Sequence, residues 1–177
     1  MHSDLDVSAH PFEVPPEGRA WVVIHSRPRC EKKAADFCGR QGICTYLPLQ
    51  RKTHRYGGRV RTFSSPLFPG YVFCVADAAQ KRLLRQNQHV ANLLEVWDQR
   101  RLVEQLQQIR RALDVGDVVE VMPYLESGKM VRVKAGPFKG LEGIVLRVKS
   151  RAKVVINVDM IQQAVAVEVD SSFLVPA

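Results

Sequence analysis

The sequence predicts an α+β protein in two parts: a mostly antiparallel sheet with helices, linked to a small all-β barrel. Three observations carry this. Short apolar runs and helical stripes succeed one another up to residue 113 in the order β-α-β-β-α-β-α, which is not the strict alternation of a parallel sheet. From Lys129 the texture changes to five short β-branched runs without a helix signal. The charge divides in the same way. Residues 19–61 hold eleven Lys/Arg against Glu31 and Asp36, whereas residues 112–177 hold eight bases against eight acids.

The elements follow in order. Trp21-Val22-Val23-Ile24 is apolar and β-branched, and reads as a buried strand. A helix is expected next, with Ser26 or Arg27 near its cap, Pro28 in its first turn and Gly42 past its end. Cys30, Ala34, Phe37 and Cys38 recur between them at helical spacing. A second strand is expected from Ile43 to Gln50, at an edge or with a bulge, because Pro48 cannot donate to a ladder. Residues 51–63 read as a basic loop or hairpin tip around Gly57-Gly58, free of acidic residues. Tyr71 to Val75 reads as a central strand, Asp77 caps a short helix to about Asn87, and Val90 to Trp97 is a fourth strand. A third helix, beginning between Gln99 and Glu104, places Leu102, Leu106, Ile109 and Leu113 on one face.

Residues 1–17 read as a flexible tail, 18–113 as the first domain, 114–128 as a linker and 129–177 as the barrel. Gly116, Pro123 and Gly128 break the helical period in the linker, although Val118, Val119 and Val121 allow a short strand there. Met130–Val133, Ile144–Val148, Lys153–Val158, Ala164–Val169 and Phe173–Val175 supply the five barrel strands.

Composition narrows the function. The excess of bases behind the net charge of +8 lies in the first domain, where it attracts a polyanion; the neutral last third suits a protein partner better. No apolar run approaches the ~20 residues of a membrane span. The first residues lack the basic start and apolar core of an export signal, so a cytoplasmic protein without membrane partners is expected; it is also expected to be a monomer. Cys30, Cys38, Cys44 and Cys74 match no metal or haem spacing and are expected as reduced thiols. His25, His54 and His89 lack ligand spacing, and no hydrolase, P-loop or dinucleotide motif occurs. Neither catalysis, nor a metal, nor a cofactor is expected.

Two motifs are specific. Val131-Arg132-Val133-Lys134-Ala135-Gly136-Pro137-Phe138-Lys139-Gly140-Leu141-Glu142-Gly143-Ile144-Val145 places three glycines in a turn between two strands, where glycine supplies positive φ or lets backbones approach. This resembles the KOW motif of NusG-family and certain ribosomal proteins. Pro66-Leu67-Phe68-Pro69-Gly70-Tyr71-Val72-Phe73 crowds large apolar side chains around a Pro-Gly turn. It resembles the FFPGYV signature of the NusG N-terminal (NGN) domain, about forty residues after an opening tryptophan strand. In order, the two motifs identify the chain as a member of the NusG family, an NGN domain followed by an SH3-like KOW barrel.

The resemblance implies a transcription elongation or antitermination factor. Its N-terminal domain would grip the clamp helices of the largest RNA polymerase subunit through a depression lined by Leu67, Phe68, Pro69 and Tyr71, with Trp21 and Val23 nearby. Arg27, Arg29, Lys32 and Lys33 at the start of the first helix would meet the displaced non-template DNA strand, while the loop bases Arg51, Lys52 and Arg55 with Arg59 and Arg61 would either contact upstream DNA or form a solubilising tip. Met122-Pro123-Tyr124-Leu125 and the ending from Met160 to Val169 resemble the specialised RfaH-like and UpxY-like relatives. Ile161-Gln162-Gln163 stands where the housekeeping members carry Phe-Gly-Arg, used on Rho, so weak or absent Rho stimulation is expected. Phe138, Met160 and Ile161 are the candidates for a small-subunit ribosomal protein, with Phe138 and Ile161 expected to be exposed. The rival reading is a ribosome- or RNA-associated KOW protein acting in translation. A barrel that turns helical is not expected, because Val154, Val155, Ile156, Val158, Val165, Val167 and Val169 disfavour helix.

Overall fold

The computed structural model describes residues 12–115, 119–148 and 151–177. Most of the expected tail, residues 1–11, and residues 116–118 of the expected linker lie outside them. The chain divides into two compact units between Val103 and Glu104. The described residues are α+β: three α-helices, a mostly antiparallel sheet, and an all-β sheet at the C-terminal end.

The first unit holds β1 (Arg19–Ser26), α1 (Glu31–Arg40), β2 (Cys44–Tyr46), β3 (Leu49–Tyr56), β4 (Arg59–Pro66), β5 (Tyr71–Asp77), α2 (Ala78–Gln86), β6 (Val90–Glu95) and the start of α3 (Gln99–Asp114). Its four-stranded sheet runs β2-β5-β1-β6, antiparallel throughout. Period-2 alternation puts Val22, Ile24, Val72, Cys74 and Ala76 on one face. There they bury with Ala34, Ala35 and Cys38 of α1 and Leu84 of α2. Cys38 and Cys74 behave in this core as small hydrophobes, and all four cysteines are free thiols.

Local chemistry explains the boundaries. Asp77 and Gln80 form a reciprocal capping box at the start of α2. Lys81 and Arg85 on that helix reach Glu95 of β6 at 2.6 and 3.0 Å, and the Lys81 hydrogen bond holds the Glu95 carboxyl below its usual range. The second strand stops at Tyr46 rather than Gln50, because Pro48 has no N–H to continue the ladder. The Pro48 carbonyl instead accepts from Leu67 N at 2.8 Å. Helix α1 begins later than its sequence signals suggest. Ser26 ends β1, Arg29 takes a positive φ of 60°, and Cys30 stands at the N-cap. Strand β6 ends at Glu95, so Trp97 is no strand residue and is 91% exposed.

The basic stretch forms more than a loop. β3 and β4 pair from Leu49↔Pro66 to Tyr56↔Arg59 as a separate two-stranded ribbon. Gly57 and Gly58 both take positive φ, as a two-residue type I′ turn requires.

The second unit holds the rest of α3 with β7 (Glu120–Pro123), β8 (Lys129–Val133), β9 (Glu142–Val148), β10 (Arg151–Val158), β11 (Gln163–Val169) and β12 (Leu174–Pro176). The strands order as β12-β8-β9-β10-β11-β7, one more than the five read from the sequence. The added strand is β7, within the stretch read as linker, where it pairs with β11 through Val121↔Val165. Met122 and Leu125 then pack over Val155, Ala164 and Ala166. Asn157 clasps the Leu125 backbone on both sides, accepting from its N–H at 3.1 Å and donating to its carbonyl at 2.8 Å. Inside the same unit, α3 offers Gln108 Oε1 to Glu142 N at 3.1 Å and Gln105 Oε1 to Asp159 N at 3.2 Å.

Two glycines of the turn motif do different work. Gly136 has φ +80°, and a Cβ there would come within 2.8 Å of the Phe173 ring. Gly143 permits close approach instead: a Cβ there would lie 2.4 Å from the Val155 carbonyl oxygen.

Candidate functional site

The apolar candidates separate into two groups. Trp21, Val23, Leu67 and Phe68 are buried, none more than 2% exposed. Their depth follows from the register, which sets Trp21 opposite Val75 and Val23 opposite Phe73 on one sheet face. Phe68 packs edge-on against Phe73 with ring centroids 6.4 Å apart. These four are core side chains of the unit, which corrects the expectation that Leu67 and Phe68 line an open depression; Trp21 and Val23, expected nearby, belong to the same core. Pro69 is exposed and Tyr71 half-buried.

The turn carrying Pro69 and Tyr71 is held from three sides. Ser26 N donates to the Gly70 carbonyl at 2.8 Å, and Tyr71 N donates to the Phe68 carbonyl at 3.2 Å. Gly70 N donates at 2.7 Å to Oε1 of Glu31, which lies in the first turn of α1 and is 7% exposed. A hydrogen bond to an ionised acceptor is stronger than one between neutral groups. Gly70 takes φ +89°, which favours glycine there. The exposed His25, opposite Tyr71 across the strands, stacks on its ring at 5.2 Å. The result is a preorganised surface turn.

Glu31 and His25 were missed by sequence reasoning. Glu31 was visible there only as one of two acids among eleven bases. Pairing register, which supplies the His25–Tyr71 stack, lies beyond a single strand's pattern.

A second aromatic group lies at the start of β1. The Trp21 indole N–H donates to the Glu13 carbonyl at 2.9 Å. The Phe12 ring lies parallel to Trp21 at 6.2 Å and edge-on to Tyr46 at 4.9 Å.

The basic candidates all lie at the surface. Arg27, Arg29, Lys32 and Lys33 are all exposed, and so are Arg51, Lys52 and Arg55. Arg27 and Arg29 lie in the loop before α1, while Lys32 and Lys33 lie in its first turn. Lys32 Nζ donates to the Ser64 carbonyl at 2.9 Å and so ties α1 to the ribbon. The clamped turn and the basic surface therefore share α1, through Glu31 and Lys32.

The barrel candidates fare differently. Phe138 and Ile161 are buried, at 7% and 5% exposure, contrary to the expectation for them. Phe138 turns inward within the tight loop in which Leu141 N donates to its carbonyl at 3.0 Å, and Ile161 ends a 3-10 turn, Asp159–Ile161. Met160 is half-buried. Gln162 takes a left-handed φ of 51°, and its Nε2 donates to the Asp159 carbonyl at 2.8 Å. Among the described residues, no three His, Cys, Asp or Glu side chains form a metal-binding group. No helix among the described residues is long and apolar enough to cross a membrane.

Known proteins align with both units. The family model described as transcription termination factor nusG matches residues 19–121, and that of the KOW motif matches residues 127–157. The transcription termination/antitermination proteins NusG of Escherichia coli (strain K12) and of Salmonella typhi are each 31% identical to this chain over 135 residues. The alignments cover 71% of this chain and 74% of each relative. A chain in the crystal structure of the MjSpt4:Spt5 complex, conformation B, is 14% identical over 89% of this chain and 96% of its own, with a TM-score of 0.29.

Proposed function

Since this chain belongs to the NusG family of transcription factors, we propose that it acts on the transcribing RNA polymerase as an elongation or antitermination factor. The clamped turn supports this reading best. Pro69 and Tyr71 stand at the surface on a backbone fixed by Glu31, Ser26 and the His25 stack. A rigid aromatic on a preorganised turn loses little entropy on docking and is the usual kind of interface anchor. Its partner in this reading is the pair of clamp helices of the polymerase's largest subunit. The four buried apolar residues act through Tyr71 and Pro69, as the packed floor that holds the turn.

The basic surface of α1 and the ribbon then faces non-template or upstream DNA. Phosphate contacts by exposed bases supply affinity without sequence preference. In the C-terminal unit, Met160 is the accessible member of the three apolar residues proposed for a small-subunit ribosomal protein. The translation-associated alternative leaves the N-terminal family match over residues 19–121 without a role.

We further assign the chain to the specialised, operon-directed branch, because Ile161-Gln162-Gln163 lacks the glycine and arginine of the Rho-binding loop. Gln162 keeps the left-handed backbone that a glycine would take without strain, so the difference lies in the side chains presented. In reconstituted transcription the purified protein is expected to shorten pauses while leaving Rho-dependent termination unenhanced. Enhanced Rho termination would remove the specialised assignment, and unchanged pausing would remove the elongation role.

A further inference from the structure

Residues directly opposite in an antiparallel pair share a face of the sheet. The register therefore gathers Trp21 and His25 of β1, Tyr71, Phe73 and Val75 of β5, and Tyr46 of β2 on one face. It is the face opposite the one that buries against α1 and α2. Strand β5 runs between β1 and β2, with Trp21 opposite Val75 and Tyr46 opposite Phe73. The Trp21 and Tyr46 rings thus stand on either side of β5 and leave a slot across it.

This chain's own Phe12 fills the slot. Its ring lies parallel to Trp21 at 6.2 Å and edge-on to Tyr46 at 4.9 Å. Beside it, the Glu13 carbonyl accepts from the Trp21 indole N–H at 2.9 Å, which satisfies the polar edge of a side chain that is 1% exposed.

The two sides of this contact are fastened differently. Trp21 is built into β1, and the Gln99 side chain clasps its backbone, accepting from Trp21 N at 2.7 Å and donating to the Trp21 carbonyl at 3.0 Å. Phe12 has no such frame, because residues 12–18 belong to no helix or strand. They return to β1 through Pro15-Pro16 and a turn at Gly18, φ +85°, where Arg19 N donates to the Pro16 carbonyl at 3.2 Å. Adjacent prolines restrict the segment and lower the entropy lost when its ring seats. A segment outside the sheet ladders opens at a cost well below that of global unfolding.

Its position bears on docking. Tyr46 opposes Phe73, two residues along β5 from Tyr71, so Tyr46 and Tyr71 are diagonal neighbours, roughly 7–8 Å apart. A helix with its side chains is about 10–12 Å across. One seated on Tyr71 would meet the segment at Tyr46.

We propose that residues 12–16 are a strap that covers the docking face in the free protein and leaves it when polymerase binds, with Phe12 as the latch. The inference rests on the proposed function and gives its docking face a regulator. The fraction of molecules with the strap open scales the apparent affinity.

Phe12→Ala and Phe12→Tyr are made in the full-length protein. Trp97→Phe, at a site 91% exposed, removes the other tryptophan and leaves Trp21 as the fluorescent reporter. Acrylamide quenching of Trp21 is expected to rise in Phe12→Ala and to stay at the starting level in Phe12→Tyr. Equilibrium binding to a core polymerase elongation complex is expected to tighten about three- to tenfold in Phe12→Ala, the shift that loss of one aromatic contact allows, and to be unchanged in Phe12→Tyr. A merely structural role for Phe12 would lower the unfolding midpoint without tightening binding. The strap is overturned if Phe12→Ala leaves Trp21 as shielded as before, or binds the complex no more tightly than the wild type; the polymerase reading then stands. If neither the wild type nor Phe12→Ala binds the complex, the polymerase reading and the strap's role fall together.

Discussion

Phe68→Ala is expected to destabilise the protein by about 3–5 kcal/mol, the usual cost of removing a fully buried phenylalanine. Phe68 is 0% exposed and packs edge-on against Phe73, so truncation loses both the transfer free energy and the ring contact, and leaves a cavity behind. Against a stability of about 5–15 kcal/mol for a unit of this size, that loss moves the urea midpoint far down with an unchanged slope. Tyr71→Ala, on the surface of the same turn, is expected to cost far less. The contrast separates core from interface. A midpoint shift worth less than about 1 kcal/mol for Phe68→Ala would mean that the ring is available to a partner after all.

Gly143→Ala is expected to destabilise the C-terminal unit, by less than Phe68→Ala costs the first. A Cβ at position 143 would meet the Val155 carbonyl oxygen at 2.4 Å and the Val154 Cγ1 at 2.9 Å. Those atoms belong to β10, which pairs with β9 one residue further along at Val155↔Ile144. Backbone cannot swing aside as a surface side chain can, so the two strands must separate or slip. Overpacking of this kind costs about 1–3 kcal/mol or more, which outweighs the roughly 0.5–1 kcal/mol that alanine recovers by restricting the unfolded chain. A unit this small buries a thin core and has little margin. Heteronuclear NMR should show the β8–β11 resonances collapse while those of β1, β5 and β6 persist. A native spectrum with an unchanged unfolding midpoint would contradict the close-packed geometry.

What the sequence revealed depended on whether local chemistry decided the outcome. Helix α2 was legible almost to the residue, because Asp77 and Gln80 complete their capping box within four positions. The sheet strands were legible because they are continuous β-branched and apolar runs, buried on both faces in β1 and β5. The glycines of the turn motif were legible as positions requiring positive φ or close approach, and both uses occur.

Pairing partners were not legible. Whether Glu120–Pro123 joins the barrel depends on β11, more than forty residues later. The basic stretch resolved into a ribbon only through cross-strand register, which also revealed that the His54 and Phe63 rings stack. The candidate site shows the same division. Its basic residues lie at the surface as charge demands. Leu67, Phe68, Trp21 and Val23 do not, because a packed core and an interface socket select the same side chains. Phe138 and Ile161 misled for that reason too.

In the proposed function, the turn bearing Pro69 and Tyr71 docks on RNA polymerase. Its most direct test is equilibrium binding of the full-length protein to a core polymerase elongation complex, beside a Pro69→Ala/Tyr71→Ala variant shown to be folded by its unfolding midpoint. The prediction is submicromolar binding by the wild type and a weakening of at least tenfold, about 1.4 kcal/mol, in the variant. A wild type that does not bind the complex, or a folded variant that binds it equally well, would contradict the account.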